Sequence, residues 1–85
     1  MWYLYIAKCS DGSLYTGITK DVSRRISEHN GSKKGAKYTR SRRPVCLVCF
    51  YMVGDSRSLA MKEERRVKKL TRPQKFKLIE AKNSV

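Results

Sequence analysis

Apolar positions along the chain fall into three strand-length blocks and three helical stripes. Trp2 to Cys9 is aromatic and aliphatic almost throughout, which reads as a first strand near residues 2–9, buried on much of both faces. Ser10-Asp11-Gly12-Ser13 carries a tight-turn signal. Leu14-Tyr15-Thr16-Gly17-Ile18, β-branched and aromatic, returns as a second strand near 14–18. Val22, Arg25, Ile26 and His29 then recur at helical spacing and predict a helix near 21–30. Thr19 or Asp21 can cap it, and Gly31 is expected to take the left-handed exit. From Gly31 to Pro44 no apolar period exists, so an exposed loop is expected, with one helical turn around Ala36 to Arg40. Val45 to Val53 is a near-continuous apolar run that suits the central strand of the sheet, near 45–53. A second helix is predicted near 58–70, buried through Leu59, Ala60, Val67 and Leu70. Pro73 opens a third near 73–81 with Phe76, Leu78 and Ile79 inward, and the chain from Asn83 is expected to fray. The expected fold is α+β, a three-stranded, mainly antiparallel sheet flanked by helices.

Charge narrows the class of partner. Twenty Lys and Arg stand against seven Asp and Glu, a net charge of +13. Such a balance points to a polyanion, most often nucleic acid. Eighty-five residues suit one small domain spanning 1–85, with a modest core and a site that is an open groove. No apolar run reaches membrane-spanning length and no signal-type stretch follows Met1, so no membrane partner and a cytoplasmic location are expected. Three cysteines, an odd number, suit a reducing compartment. Cys46-x-x-Cys49 is not read as a zinc site. Residues three apart on a strand should face opposite ways, and no second pair completes a tetrahedron. Both are read as buried apolar thiols.

The first helix has an unusual stripe, since half of its inward face is Arg25 and His29. Tyr5 and Tyr15 lie in strands joined by the tight turn and can meet across the sheet. Cross-strand packing is the ordinary role of such tyrosines, but with Arg25 and His29 beside them, four groups able to hold a phosphate or move a proton share one face. A phenol titrates near 10, so a tyrosine base needs help at neutral pH. Among the acids, Asp11, Asp21 and Asp55 suit turns and caps, and Glu28 is expected to face water. That leaves Glu63, near the middle of the second helix's inward face, and Glu64 at its border. The helical wheel leans to Glu63 without choosing. Either carboxylate could hold Mg²⁺ through oxygen. Lys33, Lys34, Lys37, Arg40, Arg42 and Arg43 surround Tyr38, the composition of a phosphate-tracking groove with a stacking ring. The cations from Lys62 to Lys77 are expected to set solubility and loose attraction only.

These residues also carry a resemblance. Tyr3-Leu4-Tyr5 followed by Tyr15-Thr16-Gly17 resembles the paired signature of the GIY-YIG nuclease domain. Arg24-Arg25-Ile26-x-x-His29-Asn30, Ala36-Lys37-Tyr38-Thr39-Arg40, Arg42-Arg43-Pro44 and Glu64-x-x-Val67-Lys68 extend the match over nearly the whole chain. It is most similar to short bacterial proteins of the YhbQ-like group. The resemblance implies a metal-dependent DNA endonuclease in which Glu64, rather than Glu63, holds Mg²⁺ or another divalent cation such as Mn²⁺. It implies that Tyr5 takes or relays the proton of the attacking water. Tyr15 and His29 would hydrogen-bond the water, the phosphate or Tyr5, and Arg25 would neutralise phosphate charge. Tyr3, Leu4 and Thr16 depart from the signature at structural positions. The family's late asparagine has no confident counterpart, because Asn83 falls in the expected frayed end. Without a second module, base readout should be slight and cleavage weakly specific or structure-selective, as in DNA repair. RNA stays open as a substrate, and a protein partner could supply specificity or be needed for activity. A non-catalytic nucleic-acid-binding module is the rival reading.

Overall fold

The computed structural model describes residues 1–83. Its elements are β1 (Trp2–Lys8), β2 (Leu14–Thr19), α1 (Val22–Gly31), α2 (Lys37–Arg40), β3 (Cys46–Gly54), α3 (Arg57–Lys68) and α4 (Arg72–Asn83). The three strands form one antiparallel sheet in the order β2-β1-β3. The predicted α+β architecture is therefore the observed one.

The centre of the sheet is β1, not the 45–53 run. Leu4, Tyr5, Ile6 and Ala7 are at most 1% exposed, because β1 is paired on both edges and covered on both faces. β3 is an edge strand, and its Leu47, Phe50 and Met52 are exposed. A continuous apolar run looks the same at the centre of a sheet as at an edge with a bare face. Only the pairing order separates the two.

Register sorts the side chains. Leu4 and Ile6 pack with Cys49, Val67 and Ile79 beneath α3 and α4. Tyr5, Ala7, Cys9 and Val45 pack on the other face with Tyr15 and with Val22 and Ile26 of α1. Each fully buried aliphatic side chain contributes about 1.5–3 kcal/mol. Leu59 and Phe76 are not part of this core. They are 52% and 40% exposed, and Arg72 lies over the Phe76 ring.

Local chemistry explains most element ends. Gly12, at φ 85°, closes the β1–β2 turn, where Asp11 accepts hydrogen bonds from the Ser13 amide and hydroxyl. Asp21 caps α1 by accepting from the Arg24 amide, and Ser56 caps α3 by accepting from that of Leu59. Gly31 does not take the left-handed exit. α1 runs through it and leaves at Ser32 in extended conformation. Four hydrogen bonds replace the glycine exit. The Asn30 amide donates to the Val45 carbonyl and accepts from its N–H, and Arg43 donates to the carbonyls of His29 and Ser32. Asn83 is the last residue of α4 and donates to the Val48 carbonyl, so it is anchored rather than frayed. The expected fraying of residues 84–85 lies outside the described residues.

The strand argument about the cysteines also needs correction. A register shift between Ile6 and Ala7 lets Cys49 pair with Ile6 and Cys46 with Lys8. Ile6 and Lys8 share a face, so both cysteines do too. Cys49 is buried and Cys46 exposed.

Candidate active site

The site is built on the close pass of Tyr5 over Gly17. The two residues are paired across β1 and β2. A Cβ on Gly17 would lie 2.5 Å from the Tyr5 hydroxyl and 2.6 Å from Cζ. The bare glycine backbone therefore lets the phenol of the central strand lie over the edge strand. There the hydroxyl meets His29 Nε2 at 2.6 Å. α1 delivers His29 from above, with Ile26 and Val22 packed on the same sheet face.

His29 is fully buried and Tyr5 is 1% exposed; of the partners expected for His29, Tyr5 is the one it meets. Its Nδ1 lies 2.8 Å from Thr39 Oγ1, and the Thr39 hydroxyl donates to the Ala36 carbonyl at 2.8 Å. Because that hydroxyl proton is committed to Ala36, Thr39 Oγ1 accepts from Nδ1–H. Nε2 is then the bare nitrogen, and the Tyr5 hydroxyl donates to it. This assignment follows the two 2.8 Å contacts in preference to the 3.4 Å one from the Ala36 N–H, which would donate to a bare Nδ1. Thr39 is fully buried in α2. Sequence reasoning missed it, because a threonine in a basic loop carries no periodic signal, and only the Ala36–Arg40 match hinted at it.

Burial and charge set the proton affinities. Burial, with the Tyr15 phenol beside it, pushes Tyr5 up to about 12; the Glu64 carboxylate adds to the rise and Arg25 opposes it. Tyr5 is therefore a neutral phenol at rest. Burial, then the positive charge of Arg25, lowers His29 to about 4. The unfolded imidazole titrates near 6.5 and so binds its proton more readily than the folded one. This contribution to stability is complete above about pH 6.5, is lost as pH falls towards 4, and is flat below. Its size is of the order of 3 kcal/mol. Urea unfolding of the parent and of His29→Asn at pH 7.5 and 4.5 should show a steeper loss in the parent. Equal pH dependence would remove His29 from this account.

Arg25 is half-buried, and its Nη1 donates to Glu28 Oε1 at 3.0 Å and to the Lys34 carbonyl at 2.7 Å. Glu28 is thus half-buried as the holder of Arg25, with Arg24 also near it, and does not simply face water. The two candidate glutamates separate clearly. Glu63 accepts from the Tyr51 hydroxyl at 2.6 Å and from both arms of Arg66, and the Arg66 hydrogen bond leads in holding it at about 2. Its oxygens are already committed. Among the described residues Glu64 pairs only with Lys68, at 3.6 Å, and its charge is felt at Tyr5. α3, which carries it, packs across all three strands on the Leu4 and Ile6 face of the sheet.

The rings continue outward. Tyr15 lies 6.3 Å from Tyr5 and 5.2 Å from His29, and Tyr38 is stacked on Tyr15 at 6.0 Å. Arg42 covers Tyr38 with its guanidinium 3.9 Å from the ring centroid. The basic loop is less free than its composition implies. Arg40 donates to the carbonyls of Lys33 and Gly35, Arg42 to Asp11 and the Tyr38 carbonyl, and Arg43 to the end of α1. These three arginines shape the loop. Lys33, Lys34 and Lys37 are exposed and have no acidic partner among the described residues.

Residues 1–77 match the family model described as the GIY-YIG catalytic domain. The chain belongs to this family. A UPF0213 protein, DP2720 of Desulfotalea psychrophila, is 54% identical over 80 residues, 94% of this chain and 72% of that protein. The solution NMR structure of the UPF0213 protein BH0048 from Bacillus halodurans is 48% identical, with a TM-score of 0.61, and the match covers 99% of this chain and 88% of that one. A second NMR structure, protein EF2693 from E. faecalis, is 46% identical with a TM-score of 0.61, over 93% and 82% of the two chains. The fold is thus of a nuclease type, and no helix among the described residues is long and apolar enough to cross a membrane.

The donor set bears on the metal that such nucleases generally use. No group of three or more His, Cys, Asp or Glu able to hold an ion occurs among the described residues. Glu64 is one half-buried carboxylate with a loose lysine contact. That fits a hard ion such as Mg²⁺, which keeps several waters and shares a substrate phosphate, and does not fit a closed zinc site.

Proposed function

We propose that this GIY-YIG domain is a Mg²⁺-dependent endonuclease that hydrolyses DNA phosphodiester bonds with little sequence preference, acting in DNA repair. The observation that supports it most is the contact between Tyr5 and a buried, bare His29 Nε2, beside a preheld Arg25 and within the field of Glu64. When bound at Glu64, the cation would polarise the phosphoryl oxygens and compensate charge on the leaving oxygen.

The chain's own residues do the rest. The Tyr5 hydroxyl takes a proton from the attacking water as it passes its own to His29 Nε2; Tyr5 is 1% exposed in the free domain, so this step requires substrate docking to admit that water. No free phenolate is needed, which suits a phenol that resists ionisation at neutral pH. Thr39 keeps the imidazole in the accepting tautomer. Arg25 neutralises charge on the phosphoryl oxygens, and Tyr15, half-exposed beside Tyr5, hydrogen-bonds the phosphate. Lys33, Lys34 and Lys37 attract the backbone, so affinity falls steeply with salt and base readout is slight. Substrate choice then comes from DNA shape or a protein partner.

The deciding experiment is nicking of supercoiled DNA by highly purified protein in Mg²⁺ and in EDTA, with Glu64→Ala purified in parallel. Nicking by the parent only, and only with metal, supports the reading; equal nicking by both proteins marks a contaminant and sinks it. Thr39 is tested separately. Thr39→Val should lower the rate by about tenfold, with a stability loss of about 1–3 kcal/mol from the unsatisfied imidazole, and Thr39→Ser should restore most of both. A Val variant with the parent's rate and pH profile would show that Thr39 does not set the tautomer.

A further inference from the structure

Cations of the 31–44 loop are partly bound to the protein itself, but a row on α3 is not. Met61, Lys62, Arg65 and Lys69 recur at helical spacing on one exposed stripe. No acidic side chain pairs with Lys62, Arg65 or Lys69 among the described residues, whereas Arg66 and Lys68 hold Glu63 and Glu64.

Three surface depressions join this row to the candidate site. The first, 360 Å³, runs from Arg24, Arg25 and their partner Glu28 past Trp2 to Arg57. The second, 460 Å³, shares Arg57 and continues along Met61, Lys62 and Arg65. The third, 370 Å³, shares Lys62 and Arg65 and ends at Lys69. A single basic track therefore leads from Arg25 over the start of α3 and along its outer face.

We propose that this track is a second nucleic-acid-binding surface, in which Lys62, Arg65 and Lys69 grip the phosphates of the strand that runs away from the scissile position. The inference rests on the reading that Arg25 faces that phosphate. Spacing favours a nucleic-acid strand as occupant. Successive cations of the row lie about 4.5 and 6 Å apart along the helix axis, the order of the separation between neighbouring phosphates. A membrane-surface helix would instead present an apolar face, and here Met61 is the one apolar residue in the row. The loose-attraction role expected for these side chains becomes a directed one.

The test is binding of labelled single-stranded and duplex DNA in EDTA over a series of salt concentrations. Three lost phosphate contacts should reduce the slope of log affinity against log salt by about 2 for single strands and about 2.7 for duplex. Lys62→Ala/Arg65→Ala/Lys69→Ala should show that reduction with an unchanged circular dichroism spectrum. Lys8→Ala/Lys77→Ala/Lys82→Ala removes the same charge from exposed positions elsewhere and should change the slope far less. The emission of Trp2, the only tryptophan, should change on adding DNA to the parent. An unchanged slope in the α3 variant, or equal losses in the two triple variants, would overturn the track. A parent that binds with the expected slope but never nicks DNA keeps the track and sinks the catalytic reading. A parent that nicks, alongside an unchanged slope in the α3 variant, does the reverse.

Discussion

Arg25→Ala and Glu64→Ala should each fold yet nick supercoiled DNA at least ~10²-fold more slowly than the parent, the scale of losing one preorganised charge contact. Both side chains lie at the border of the core, 26% and 24% exposed, so neither truncation opens a cavity. The ion pairs they lose are helical-neighbour pairs, worth a few tenths of a kcal/mol each. Arg25 is held by Glu28 and the Lys34 carbonyl before any substrate arrives, so no ordering cost falls on the reaction step. Glu63→Gln is the natural control. Glu63 is one residue away but bound to Tyr51 and Arg66, so its loss should lower the melting temperature and leave nicking near the parental rate. If Glu63→Gln were the dead variant and Glu64→Ala the active one, the helical wheel's lean would be right after all.

Gly17→Ala should be strongly damaging to both stability and rate. The added Cβ would sit 2.5–2.9 Å from the hydroxyl and two ring carbons of Tyr5, which is fully buried and cannot swing away freely. Overpacking of this kind costs about 1–3 kcal/mol. Displacing the phenol also breaks its contact with His29, and loss of acid–base assistance lowers rates by about 10²–10⁴. Tyr5→Phe separates the two effects, since it keeps the ring and removes the hydroxyl. Gly17→Ala should match Tyr5→Phe in rate and fall below it in melting temperature. Parental activity in Gly17→Ala would mean that Tyr5 need not lie where it does.

The rival reading, a binding module without chemistry, makes a different forecast for the same proteins. It leaves binding intact in Arg25→Ala and Glu64→Ala and finds no nicking in any metal. The exposed loop lysines and the α3 row would then account for the whole function.

Sequence periodicity and turn chemistry determined the six main elements, the antiparallel hairpin, Asp21 as one of two offered caps for α1, and the meeting of Tyr5, Tyr15 and His29. These follow from local rules, since alternation, helical spacing and turn chemistry act over a few residues. Family motifs added Glu64. Tertiary structure decided what depends on residues far apart in order. It made β1 the central strand and left Leu47, Phe50 and Met52 at an edge. It bound Glu63 to Tyr51 and Arg66 and left Glu64 with a loose Lys68 contact. It turned Arg40, Arg42 and Arg43 inward onto backbone carbonyls and Asp11, and brought Thr39 behind His29. A side chain's type states which bonds it can make; only packing states which partner is within reach.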